Sequence, residues 1–189
     1  MIQIQNERHT GRPEDPAGRC AAELACYDLL DGLQIPYERV DHAPAATIAL
    51  CEQVEQVLDA KICKNLFLCN RQKTEFYLFL MQGDKVFKTK HLSKQLATAR
   101  LSFADAEDME RLLGLKPGSC SVLGLMNDTG HCVHLVIDRP VLEQTFFGCH
   151  PCINTSTLRL KTQDVVGKLL PHLGYTPVIT ELPQEDIPD

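Results

Sequence analysis

Two short stretches hold side chains able to do chemistry. Cys149–His150–Pro151–Cys152, inside FFGCHPCINTSTLRL, has the spacing of a dithiol redox pair or of half a zinc site. The same residues also parse as Gly148, His150 and Pro151 followed by Asn154 and Thr155, a tight polar loop shaped for a small ligand. The second stretch, ICKNLFLC, carries Lys64 in an apolar, strand-like run. Alternation there sets Ile62, Lys64, Leu66 and Leu68 on one face. A lysine in such company either snorkels to water and discourages edge pairing, or stands in a pocket as the cation for a phosphate or a developing oxyanion.

The dithiol and zinc readings lack supporting residues. A redox pair takes its reactive thiolate from a helix N-terminus, whereas the segment after Cys152 is β-branched and has no helical stripe. A closed zinc site wants four ligands; there is no second C-x-x-C, and the candidate partners are Cys120, His131, Cys132 and His134. No Gly-x-Ser-x-Gly elbow ties a nucleophile to a base. His42, in VDHAPAAT, reads as a packed or surface imidazole. His91, His131, His134 and His172 read as structural or exposed, and Asp128 as a turn residue.

The elements that must position these groups are legible in outline. AAELACYDLLDGL, ending near Gly32, reads as a helix, IPYERVDH as a strand, and TIALCEQVEQVLDA as a helix with Thr47 as its cap. ICKNLFLC and EFYLFLM read as strands parted by the turn NRQKT. Helices follow at HLSKQLATAR, with Ser93 as cap, and at DAEDMERLLGL, which has acidic residues in its first turn and Gly114 near its end. A short strand through Val122–Leu125, strands in HCVHLVIDRPV and TSTLRLKT, a helix over 164–173 and a strand in TPVITEL complete the pattern. Without a βαβ rhythm or a Gly-rich phosphate fingerprint, this predicts an α/β (α+β) fold: a mixed, mostly antiparallel sheet surrounded by helices. Residues 1–17 read as a loose leader, 18–183 as one domain and 184–189 as a polar tail.

The chain has 189 residues, 44% apolar and 23% charged, which suits one globular domain. No run approaches the ~18 apolar residues of a spanning helix, and the N-terminus lacks a hydrophobic signal region, so a cytoplasmic protein is expected. There are nine cysteines, an odd number in a chain of this type, and most of them read as buried small hydrophobes; Cys26, Cys63 and Cys69 lie in apolar patterns. The net charge of −6 argues against general nucleic-acid binding, DNA included. Yet Lys61 to Arg100 holds nine basic residues against Glu75 and Asp84, leaving −13 for the remainder. A basic face on an acidic body suits a polyanion held at one place.

Three ordered blocks, CKNLFL, GLKPGSCSVLGLMND and GCHPCINTSTL, resemble the signatures of the stand-alone prolyl-tRNA editing proteins of the YbaK-like aminoacyl-tRNA deacylase superfamily. The resemblance runs from about Tyr27 to Leu182. It implies hydrolysis of the ester between a wrong amino acid and a tRNA, with alanine on proline tRNA as the expected substrate. It implies that Lys64 is the essential lysine, and that Gly148 and His150 belong to a catalytic Gly-x-His-Pro loop. It further implies that Asn65, Pro151, Asn154 and His42 contact substrate. The mechanism implied is a metal-free attack by water, without a cofactor, aided by the vicinal hydroxyl of the terminal ribose. The implied partners are a tRNA acceptor end carrying a small amino acid and, as a further candidate, prolyl-tRNA synthetase; a membrane is not among them. Two rivals stand beside this expectation: a catalytically silent relative that binds tRNA or an aminoacyl ligand, and a thiol redox or zinc protein using Cys149 and Cys152.

Overall fold

A computed structural model describes residues 7–44 and 48–183. Two sheets carry the architecture. The first has the strand order β1–β2–β8–β7, with β1 His9–Thr10, β2 Tyr37–Asp41, β7 Phe146–Cys149 and β8 Ser156–Lys161, all pairings antiparallel. The second has the order β5–β3–β4–β6–β9, with β3 Cys63–Cys69, β4 Phe76–Gln82, β5 Ser102–Phe103, β6 Val133–Asp138 and β9 Val178–Thr180. Here β3 pairs antiparallel with β4 and β5, whereas β4–β6 and β6–β9 are parallel. The expected mixed, mostly antiparallel α+β fold is therefore what forms, divided over two sheets.

The helices cover these sheets by their apolar stripes. α1 (Ala21–Gly32) buries Cys26, Tyr27 and Leu30 in the main core with Leu78, Leu80, Leu135 and Leu158. α2 (Ile48–Leu58) packs Leu50, Val54 and Leu58 on Val40 of β2. α3 (Thr89–Gln95) sets Leu92 on the opposite face of the five-stranded sheet, with Leu68, Phe79 and Met81. α4 (Ala106–Leu113) follows the sequence closely: the Asp105 side chain accepts from Asp108 N, and Gly114 closes the helix at φ 63°. α5 (Arg139–Leu142) is a single turn after β6.

Several expectations change. Part of the leader is tied down, because β1 pairs with β2 and Gly11 N donates to Tyr37 O at 2.9 Å. Val122–Asn127 is a 3-10 helix, since Ser121 caps it: its Oγ accepts from Leu123 N and its carbonyl from Gly124 N. Ser93 lies inside α3, where its hydroxyl donates to Thr89 O and accepts from Leu101 N. The last helical segment begins earlier, as Thr162–Asp164, and continues as a π-helical turn, Val165–Leu169, before Leu170–His172. Pro171 cannot donate to the carbonyl four residues back, which fits a widened turn just before it. Thr47 and the tail 184–189 lie outside the described residues.

The two sheets meet at one crossing. Ile62 forms a parallel bridge to Gly148, and Gly148 N donates to Lys61 O at 3.0 Å. A Cβ on Gly148 would sit 2.8 Å from Lys61 O and 3.0 Å from Ile62 Cα, so only glycine permits this approach.

Candidate active site

The free edge of β3 makes one wall of the site. That edge is clamped at one end by Gly148 and at the other by β5, where Ala104 N donates to Phe67 O at 3.0 Å. Phe67 thus turns its polar groups toward the open edge, and the two-residue period turns those of Asn65 and Cys63 the same way. The gap opens on a cavity of about 620 Å³ whose lining includes Lys64, Asn65, Phe67, Met109, Cys120 and His150. The volume is that of a small-ligand site, roughly 300–1,000 Å³.

Lys64 stands at the edge with an exposed side chain, its Nζ donating to Lys85 O at 3.0 Å. An ammonium has three donors, so this bond leaves others for a ligand. Asn65 donates from Nδ2 to Cys63 O at 2.9 Å, while its buried Oδ1 has no hydrogen-bond partner among the described residues. An orphaned buried acceptor costs about 1–3 kcal/mol, and such groups concentrate where a ligand completes them.

His150 forms the facing wall. Its Nδ1 lies 2.9 Å from Ser156 O, an oxygen that only accepts, so Nδ1 carries the proton and Nε2 is the acceptor of the neutral ring. Thr157 Oγ1 lies 3.3 Å from the same Nδ1 and 2.8 Å from His42 Nε2. His42 Nδ1 is 2.8 Å from Ala43 O and donates to it, so Thr157 donates to His42 Nε2 and offers its lone pair to His150. The chain His42–Thr157–His150 agrees on one tautomer throughout. Burial lowers the pKa of both rings below the ordinary 6.5, so His150 is neutral at pH 7.

The predicted site residues therefore divide. Lys64, Asn65 and His150 line one cavity. Gly148 serves the crossing that brings the two sheets together, and Pro151 is buried in the bend after β7. Asn154 is not among the residues that line the cavity; its Nδ2 is 3.5 Å from where a Cβ on the lining residue Gly118 would be. His42 is 6% exposed and engages both ring nitrogens, holding His150 by way of Thr157. Thr157, in the strand-like TSTLRL, carried no signal in the sequence beyond its β-propensity.

The cysteines of the bend are sealed. Cys149 is 0% and Cys152 5% exposed, and burial holds the Cys149 thiol far above its usual range. Cys152 Sγ faces Cys26 Sγ at 3.4 Å, not Cys149. Among the described residues, no three His, Cys, Asp or Glu side chains cluster as metal ligands. Nor is any described helix long and apolar enough to cross a membrane.

The aminoacyl-tRNA editing domain family matches residues 42–167, a span that holds Lys64, Asn65 and His150. The chain belongs to this family. Among editing-family relatives, the prolyl-tRNA editing protein ProX of Acetoanaerobium sticklandii is 30% identical over 144 residues, 76% of this chain and 88% of that protein. The prolyl-tRNA synthetase associated domain-containing protein 1 of Bos taurus is 31% identical over 166 residues, 84% of this chain and 95% of its own length. A solved structure of a candidate trans-editing enzyme for prolyl tRNA synthetase superposes with a TM-score of 0.64 at 17% identity, covering 88% of this chain and 99% of its own, and shares the editing-domain fold.

Proposed function

We propose that this editing-family chain is a trans-acting deacylase that hydrolyses mischarged aminoacyl-tRNA, with Ala-tRNA(Pro) as its substrate. The observation that carries the reading is the meeting of Lys64, His150 and the orphaned Asn65 Oδ1 around one cavity. An aminoacyl ester brings complementary groups: an ammonium with three donors, a carbonyl that becomes an oxyanion, and a ribose–phosphate carrying negative charge. Lys64 takes an anionic or ribose oxygen and orients the ester. The Asn65 N–H, facing the open edge, suits the carbonyl oxygen as charge develops on it. Asn65 Oδ1 and His150 Nε2 are acceptors for the ammonium and for the attacking water. Water adds to the carbonyl, and collapse of the tetrahedral adduct breaks the ester, leaving a free amino acid and the tRNA hydroxyl, which keeps the proton from the water. Cys63, Phe67, Met109 and Cys120 offer the apolar wall for a small side chain.

Single-turnover deacylation of a panel of alanyl-, cysteinyl- and prolyl-tRNA tests the proposal. The expected result is loss of alanine from proline tRNA, sparing of prolyl-tRNA, and deacylation by Lys64→Ala slowed by about 100- to 1,000-fold. Binding of alanyl-tRNA without loss of the ester would instead establish a silent module.

A further inference from the structure

Phe103 is the most exposed of the large hydrophobic side chains among the described residues, at 62%. It lies on the rim of the cavity that Lys64 and His150 line. Its backbone is fixed, because β5 pairs Phe103 with Leu68 and Ser102 with Cys69. Its ring is braced edge-on by Phe87, with centroids 6.1 Å apart and planes at 74°, and Phe87 rests in turn on Phe79 at 5.5 Å. A short edge strand ordinarily shows charge to solvent rather than an aromatic ring. A rigid ring held out at a cavity mouth is a surface prepared for another flat group.

Register tells which part of a ligand reaches it. Phe103 pairs with Leu68, four residues along β3 from Lys64 on the same face, which is about 13 Å. One aminoacyl unit spans only about 3.8 Å of chain. An ester centred between Lys64 and His150 therefore meets Phe103 through its alcohol half and not through its amino acid. Exposed Lys90 and Lys94 lie on α3, which starts two positions after Phe87, and exposed Arg100 precedes β5. Aromatic faces beside a cationic track are how proteins hold single-stranded nucleic acid, each base stacking while the phosphates meet the cations.

We infer that Phe103 is the stacking platform for the terminal base of the single-stranded 3′ end that carries the amino acid, an assignment that rests on the deacylase reading of the same cavity. Stacking sets affinity and leaves the chemical step alone. The test uses an uncharged acceptor-stem minihelix ending in CCA, with 2-aminopurine in place of the terminal adenine, so that binding is read without hydrolysis. Wild-type protein is expected to bind it with quenched fluorescence. Phe103→Leu should weaken binding about tenfold and restore the fluorescence, while Phe103→Trp should keep both affinity and quenching. In single-turnover deacylation Phe103→Leu should raise the half-saturating protein concentration about tenfold at an unchanged maximal rate. Unaltered affinity and quenching in Phe103→Leu, or no binding by the wild type, overturns the assignment. Tight, quenched binding by a wild type that leaves alanyl-tRNA intact would sink the deacylase reading while leaving the platform standing.

Discussion

Lys64 and Lys85 are joined by one hydrogen bond, from Lys64 Nζ to the Lys85 carbonyl, yet their charges meet opposite conditions. Lys85 is 6% exposed; its ammonium donates to Asp138 Oδ2 at 2.7 Å and to Leu182 O at 2.6 Å. Asp138 closes the loop by accepting from Leu182 N at 2.8 Å, so the charge is answered within the fold and fastens the C-terminal segment to the sheet. Lys64, at the open edge, has a carbonyl and no carboxylate among the partners shown for its ammonium. A compensated cation is a structural tie; an uncompensated one beside a cavity is a site for something that arrives. The tie also aims the site, because the carbonyl that Lys64 grips belongs to the residue whose side chain is locked.

That contrast is open to direct attack. The largest effect belongs to Lys85→Met, which leaves the buried Asp138 carboxylate unpaired and should cost about 3–5 kcal/mol of stability in urea unfolding. Lys64→Ala should do the reverse. Stability stays within about 0.5 kcal/mol, as for other exposed positions, while single-turnover deacylation falls by about 100- to 1,000-fold. A Lys64→Ala protein as unstable as Lys85→Met would erase the distinction. Next comes Gly148→Ala. Its Cβ would press on Lys61 O from 2.8 Å, so the crossing must part, at about 1–3 kcal/mol in unfolding experiments, and the rate falls because His150 shifts with it.

A smaller effect sharpens the facing wall. The folded pKa of His150 is depressed by burial, so its neutral form persists below pH 6.5. The rate of deacylation should hold its neutral-pH level to a lower pH than an unshifted imidazole would allow, and then fall as Nε2 gains a proton and ceases to accept. Stability carries the same sign. A His with a lowered folded pKa contributes fully above the unfolded value of about 6.5 and loses that contribution as pH falls through the folded pKa. Thermal melts should follow, and Thr157→Val, which cuts the link to His42, should move the pH at which the rate falls, whereas a purely structural role would lower the melting temperature alone.

Much of the scaffold was legible because its signals are local. The apolar strands β3, β4, β6 and β8 stand out by composition, and α4 by the acidic residues of its first turn and its Gly114 stop. The cavity partners Lys64, Asn65 and His150 were readable as ordered blocks, though not their separate atoms. What escaped depends on long-range approach. Gly148 read as a loop glycine, whereas its need arises from Lys61 and Ile62, far away in the chain. The excess of positive charge between Lys61 and Arg100 is partly answered by carboxylates outside it: Lys61 meets Glu55 at 2.9 Å, Lys73 meets Asp105 and Asp108, and Lys85 meets Asp138. Exposed Lys90 and Lys94 lie on α3, and exposed Arg100 precedes β5. The strand expected through Val122–Leu125 is instead part of a 3-10 helix, because the hydroxyl of Ser121, in a stretch rich in turn formers, starts a turn.

The smallest expected effect concerns the thiols, the counterpart of the open β3 edge. Cys149 and Cys152 flank His150 and Pro151 in the bend, yet neither sulfur has the exposure that thiolate chemistry needs. If the bend works through His150 alone, Cys149→Ala and Cys152→Ala should each lower stability by about 1 kcal/mol through lost packing and leave deacylation within about twofold of wild type. A loss beyond tenfold in a protein that still melts cooperatively would return the dithiol to the mechanism. The outcome is informative in either direction because the same bend carries both chemistries, and the substitution removes one while the Ser156 carbonyl goes on holding the ring of the other.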